Sequence, residues 1–203
     1  VTEDNGFKYI ELGNITSVSP SEGQTGTYVT ISGTNLLGGG ARYVSITLGG
    51  TAIRELVGGA TRALGGDTSV IVRADGASAG TGNVRMVSDT GAVVTLSEGW
   101  TYDAASEIAE LVPAAGQVGT RVLIKGSNLL GVSNGVNITK VTLAGVDATI
   151  VEFNQSGISV VVKSSFNVGS GKVVVLADTG AEATLADGFE YLEAGVVDEV
   201  LPA

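Results

Sequence analysis

The chain has 203 residues, room for one large domain or two of roughly 100, with 21 acidic against 11 basic side chains and a formal charge of −10. That field repels phosphate backbones and anionic headgroups, so nucleic acid is not an expected partner, and no apolar run reaches the roughly 20 residues of a membrane span in this segment. The absence of Cys and His removes disulfides, thiolate metal sites, thiol nucleophiles and the usual general base, while 31 Gly and only 3 Pro among Val- and Thr-rich runs predict short strands joined by tight turns, an all-β chain.

In chain order, the first element is residues 1–13. Its Gly6-Phe7-Lys8-Tyr9 recurs as Gly99-Trp100-Thr101-Tyr102 and as Gly188-Phe189-Glu190-Tyr191, three copies of one closing strand. Residues 1–13 are therefore expected to close a module that precedes this chain. The start at Val1, with neither Met nor a signal-like apolar stretch, reads as a processed or excised end with any targeting signal upstream.

Residues 14–103 form the first expected module. Ser19–Gly38 matches Val112–Gly131 without a gap at an offset of 93, and Ser88–Tyr102 matches Ala177–Tyr191 at an offset of 89; a fixed period of this kind decides the architecture. Tyr28-Val29-Thr30-Ile31-Ser32 alternates as a half-buried strand does, and Val44, Ile46 and Leu48, then Val84 and Met86, keep the same period of two. Asp89-Thr90-Gly91 lies between two such runs, where Gly tolerates the positive φ of a hairpin turn.

Residues 104–195 form the second module, entered through Ala104–Glu107, a linker too short for independent tumbling. Arg121-Val122-Leu123-Ile124-Lys125 keeps its apolar residues on the face used by Val29 and Ile31, and Ile158, Val160 and Val162, then Val173 and Val175, repeat the later strands. Asp178-Thr179-Gly180 supplies the matching hairpin turn. Residues 196–203 then resemble an opening strand again: Pro20, Pro113 and Pro202 each end one. This last segment is expected to open a following module.

About seven short strands in some 90 residues, punctuated every 8 to 12, describe an immunoglobulin-like β-sandwich. The run Pro-x-x-Gly-x-x-Gly-Thr-x-Val-x-Ile-x-Gly-x-Asn-Leu, read at Pro20–Leu36 and nearly unchanged at Pro113–Leu129, resembles the IPT/TIG module of plexins, related receptors and bacterial surface proteins. The resemblance covers almost the whole chain and implies two tandem sandwiches of that type. The cysteines of receptor versions are absent, and so are the basic loops with which Rel-type transcription factors use a related module on DNA.

No catalytic constellation emerges. Neighbouring carboxylates such as Glu3 with Asp4, or Asp198 with Glu199, point to opposite faces of a strand. Asp103, Glu107 and Glu110, or Glu193, Asp198 and Glu199, lack the spacing of a calcium loop, and Leu37-Gly38-Gly39-Gly40 and Gly58-Gly59 lack the Lys-Ser/Thr of a phosphate loop. No cofactor or metal is expected. Phe7, Tyr9, Trp100, Tyr102, Phe189 and Tyr191, with Val197 and Val200 of the opening strand, are candidate inter-module contacts; stacking on sugars is another use of the aromatic-x-Tyr pairs, and a closing-strand aromatic packed into the sandwich or against the linker explains the rings more simply. Asn14, Asn137 and Asn154 begin Asn-x-Ser/Thr acceptors for N-glycosylation.

The expected function is that of a non-enzymatic structural repeat in an extracellular or cell-surface rod or fibre, assembling end to end with other copies of the same module or chain. An adhesion module that binds carbohydrate or a receptor, presented on a surface protein, is the alternative. A covalent array and a non-covalent polymer made by strand addition both remain open.

Overall fold

The computed structural model describes residues 9–58, 66–131, 135–165, 167–196 and 199. They divide into two compact units, residues 1–105 and 106–203, and contain no helix among the described residues.

Unit 1 holds β1 (Asn14–Ser19), β2 (Glu22–Gly23), β3 (Tyr28–Thr34), β4 (Tyr43–Leu48), β5 (Thr51–Ala52), β6 (Glu55–Val57), β7 (Ser69–Arg73), β8 (Gly80–Ser88) and β9 (Val93–Tyr102). One sheet runs β1-β3-β7-β6 and the other β2-β9-β8-β4-β5. Seven of these strands are three residues or longer. The strand that opens the module changes sheet. β1 pairs antiparallel with β3, Ser19 opposite Thr30; after the cis Ser19–Pro20 bond, β2 lies parallel to β9, Glu22 opposite Thr101.

The alternation in β3 is the reason a core exists. Val29 and Ile31 are wholly buried and join Leu48, Val72, Met86 and Trp100 between the sheets, while Tyr28 and Thr30 point outward; a side-chain period of two allows no other arrangement. Val44 corrects its reading as an inward residue in phase with Ile46 and Leu48. A bulge between Tyr43 and Ser45 shifts the pleat by one residue, and Val44 is exposed while Ile46 and Leu48 stay buried.

Unit 2 repeats the plan with β10 (Glu107–Val112), β11 (Ala115–Gly116), β12 (Arg121–Ser127), β13 (Ile138–Leu143), β14 (Val146–Asp147), β15 (Thr149–Phe153), β16 (Gly157–Val161), β17 (Gly169–Ala177) and β18 (Glu182–Tyr191). Its sheets are β10-β12-β16-β15 and β11-β18-β17-β13-β14. Val122, Ile124, Ile158, Val160, Val173 and Phe189 form the centre of its core. The two Asp-Thr-Gly strings are hairpin turns: Gly91 and Gly180 have φ of 82° and 86°, and Asp89 Oδ1 also accepts the Ala41 amide at 3.0 Å.

Candidate functional site

Each module presents surfaces a partner could use at the exit end, where its closing strand leaves. The local sequence shapes that end. Glu98 and Asp187 take φ of 50° and 48° at bulges that shift the pairing between Gly82 and Val84 and between Gly171 and Val173. Beyond each bulge the strand sends residues i and i+2 inward, so Trp100 meets Tyr102 edge to face, and Phe189 meets Tyr191 in the same way.

The two tyrosines end their cores at the exit. The Tyr102 ring lies against Gly49, where a Cβ would sit 3.1 Å from the ring. Burial, with the Asp75 charge as a second cause, pushes the Tyr102 hydroxyl up to about 12; burial alone raises Tyr191. Both hydroxyls are buried without a hydrogen-bond partner among the described residues. Tyr191 also lines a pocket of about 250 Å³ shared with Ala144, Val146, Ser165, Asn167 and Val168. The chain leaving β18 is tied down: Leu192 N donates to Gly116 O at 2.8 Å, and Gly195 N to Gln117 Oε1 at 2.9 Å.

At the entry end of unit 2, Ser106 Oγ donates to the carbonyl of Asn128 at 2.5 Å. Gly13 occupies the matching place in unit 1, where a Cβ would meet the Asn35 carbonyl oxygen. Asn35 and Asn128 both have left-handed backbones, φ 50° and 53°, a conformation Asn tolerates better than most residues. A third surface is the outer face of the β10-β12-β16-β15 sheet, where Leu123, Glu152, Phe153, Asn154, Gly157 and Ser159 line a shallow cleft of about 120 Å³.

Of the residues proposed from sequence as inter-module contacts, Trp100, Tyr102, Phe189 and Tyr191 belong to their own modules' cores. The pleat of β9 and β18 dictates this: the two aromatics in each strand are two apart and share the buried face. Tyr9 is 90% exposed, and Phe7, Val197 and Val200 lie outside the described residues. Asn14, Asn137 and Asn154 are all exposed. Among the described residues no three acidic side chains gather as a metal site would require, and Glu110 is paired with Lys125 at 2.7 Å. Sequence reasoning missed the Gln117 clamp and the Phe153 cleft. The Gln that follows Gly23 and Gly116 in both repeats was the available signal for the first; the second has no counterpart in the repeat to announce it.

The sequence pattern of the IPT/TIG domain matches residues 14–102 and again 106–191. The chain belongs to the IPT/TIG domain family. Among solved structures, the full extracellular region of plexin A4, domains 1 to 10, is similar over 92% of this chain and 16% of that one, with 22% identity and a TM-score of 0.51. A surface glycan-binding protein of Bacteroides uniformis is 16% identical over 88% of this chain and 49% of its own, TM-score 0.35. One from Prevotella bryantii is 13% identical over 92% and 44%, TM-score 0.35. The likeness to plexin A4 is one of fold, and the IPT/TIG chain spans less than half of each of these neighbours. No curated protein sequence matches it.

Proposed function

We propose that this IPT/TIG chain is a non-enzymatic structural repeat of an extracellular or cell-surface rod, in which modules follow one another end to end. One observation carries the reading. Tyr9, Tyr102 and Tyr191 are the same residue in three copies of the closing strand, yet Tyr102 and Tyr191 are 2% and 4% exposed whereas Tyr9 is 90% exposed. A ring selected for that register is matched to the interior of a sandwich, so residues 1–13 are read as closing a further copy of the module, and residues 196–203 as opening another. Modules joined by linkers of a few residues contact mainly their neighbours and make a quasi-linear array. The plexin A4 likeness is to an extracellular region, which is the location proposed here.

Electron microscopy of the full-length protein tests this. The expected image is an extended, beaded rod with beads of module size; a compact globule with the modules folded against a larger domain contradicts it.

A second reading, a carbohydrate-binding module, draws on the cleft on the outer sheet of unit 2. Phe153 and Leu123 offer apolar surface beside the carboxylate of Glu152, the carboxamide of Asn154 and the hydroxyl of Ser159, a combination suited to the faces and vicinal hydroxyls of a sugar ring. Amide chemical-shift changes confined to residues 152–159 on addition of a neutral oligosaccharide support it; unchanged shifts at millimolar sugar remove it.

A further inference from the structure

The exit ends of the two modules are built on one plan but surfaced differently. Val118, Val168 and Leu192 are exposed at the exit of unit 2, and Val146 is half-buried beside them. The matching positions at the exit of unit 1 are Thr25, Ala79, Asp103 and Thr51, placed by the same register: Gly23 with Tyr102 and Gly116 with Tyr191, Leu48 with Thr51 and Leu143 with Val146. Four polar or small residues have thus become three valines and a leucine. Val146 and Val168 line the pocket at Tyr191, whose buried hydroxyl has no acceptor among the described residues, and Leu192 follows that tyrosine in the chain. An unpaired buried hydroxyl is costly, and exposed aliphatic side chains at the same end of the module mark a surface that another protein covers.

The repeat says which protein. Residues 6–13 and 188–195 share Gly, Phe, Tyr, Glu and Gly, five of eight, whereas 6–13 and 99–106 share only the first Gly and the Tyr, two of eight. At the position after the tyrosine the outer segments carry Ile10 and Leu192, and the inner one Asp103. The junctions at the two outer boundaries are therefore of one kind and the junction inside the chain of another, a period of two modules. Whatever follows unit 2 is then of the type of unit 1, whose entry side, once residues 1–13 are assigned to the module before it, displays exposed Val93.

We propose that the exit end of unit 2, through Val118, Val168, Leu192 and the pocket at Tyr191, is the docking seat for the entry end of a second copy of this two-module chain. The proposal rests on the end-to-end reading above and adds the surface and the partner. The seat and the surface it receives differ, so the contact is head to tail and does not close at a dimer.

Sedimentation velocity of the 203-residue chain, from about 10 µM to about 1 mM, the affinity range of a contact below standard interface size, provides the test. The expected result is a weight-average sedimentation coefficient that rises with concentration past the dimer. Leu192→Asp and Val168→Asp weaken association about tenfold or more with unchanged melting, since both side chains are exposed. Tyr191→Phe weakens it by a smaller factor, and Ala79→Asp, the counterpart change at the exit of unit 1, leaves it as it was. A chain that stays monomeric throughout overturns the proposal, as does association indifferent to Leu192→Asp and Val168→Asp. In either case the rod reading is judged separately, by the shape of the full-length protein.

Discussion

Trp100 stands edge-on to Tyr102 inside unit 1, ring centroids 5.6 Å apart and planes at 83°. Phe189 and Tyr191 repeat the arrangement inside unit 2 at 5.2 Å and 85°. Trp100 is the only tryptophan in the chain, so its emission reports the state of unit 1 alone, and Phe189 provides the matching place to damage unit 2.

Phe189→Ala is expected to cost unit 2 roughly 3 to 5 kcal/mol, the usual loss for emptying an aromatic site in a close-packed core. Denaturant titration followed by far-ultraviolet circular dichroism then splits into two transitions, the earlier one invisible to Trp100 fluorescence, whose midpoint stays at its wild-type value. Equal shifts in both signals contradict the division into two separately folding modules.

Tyr102 makes unit 1 sensitive to alkali. Its hydroxyl is pushed up to about 12 from an unfolded value of about 10, so the folded state holds its proton more tightly. The resulting stability is complete below about pH 10 and lost as pH rises through about 12. The fluorescence midpoint of Trp100 should fall across that window, and absorbance at 295 nm should show a tyrosinate appearing late. Asp75→Asn removes the second of the two causes and brings that step to lower pH, by less than burial contributes. A Tyr102 that titrates near the unfolded value of about 10 rules out its burial.

Gly126 lies beneath the opening strand of unit 2, where a Cβ would collide with the Glu107 carbonyl oxygen; Gly33 stands in the same relation to Asn14. Either Gly→Ala change forces β10 or β1 away from its partner and should destabilise the affected module by about 1 to 3 kcal/mol, as overpacking does. Hydrogen exchange is the readout: the amides of residues 107–112 lose protection in Gly126→Ala. Full protection there shows that the ladder absorbs the methyl.

The period of two in Val29 and Ile31, or Val122 and Ile124, was enough to name the buried face, because alternation is a local property of a strand. It could not say which sheet a strand joins, since both sheets of a sandwich show the same period. The parallel pairing of Glu22 with Thr101 is a contact between distant parts of the chain and leaves no local mark. Val44 was misread because a bulge inserts one residue and no apolar pattern announces it. The closing-strand aromatics were legible as a repeat whose simplest place is in the sandwich or against the linker, but a core ring and a junction ring look alike until the register of β9 and β18 is known. The exit-end surface of unit 2 could be recognised only once strand register had aligned Thr51 with Val146.

Asn14, Asn137 and Asn154, each the first residue of an Asn-x-Ser/Thr motif, are exposed, and Asn154 Oδ1 accepts from Ser156 N at 2.9 Å and Oγ at 3.0 Å. Secreted from a eukaryotic host, the chain should gain glycan mass that peptide-N-glycosidase removes, and Asn154→Gln should reduce it by one glycan. An unmodified mass for the secreted chain excludes all three.

The claim that the modules are successive members of one array is tested most directly by pulling the full-length protein from its ends. With repeats of 89 to 93 residues, each module should release roughly 300 Å of contour length, and at least three equal steps are expected, the additional one coming from the further module that residues 1–13 are proposed to close. Two such steps accompanied only by events of unrelated length would contradict it.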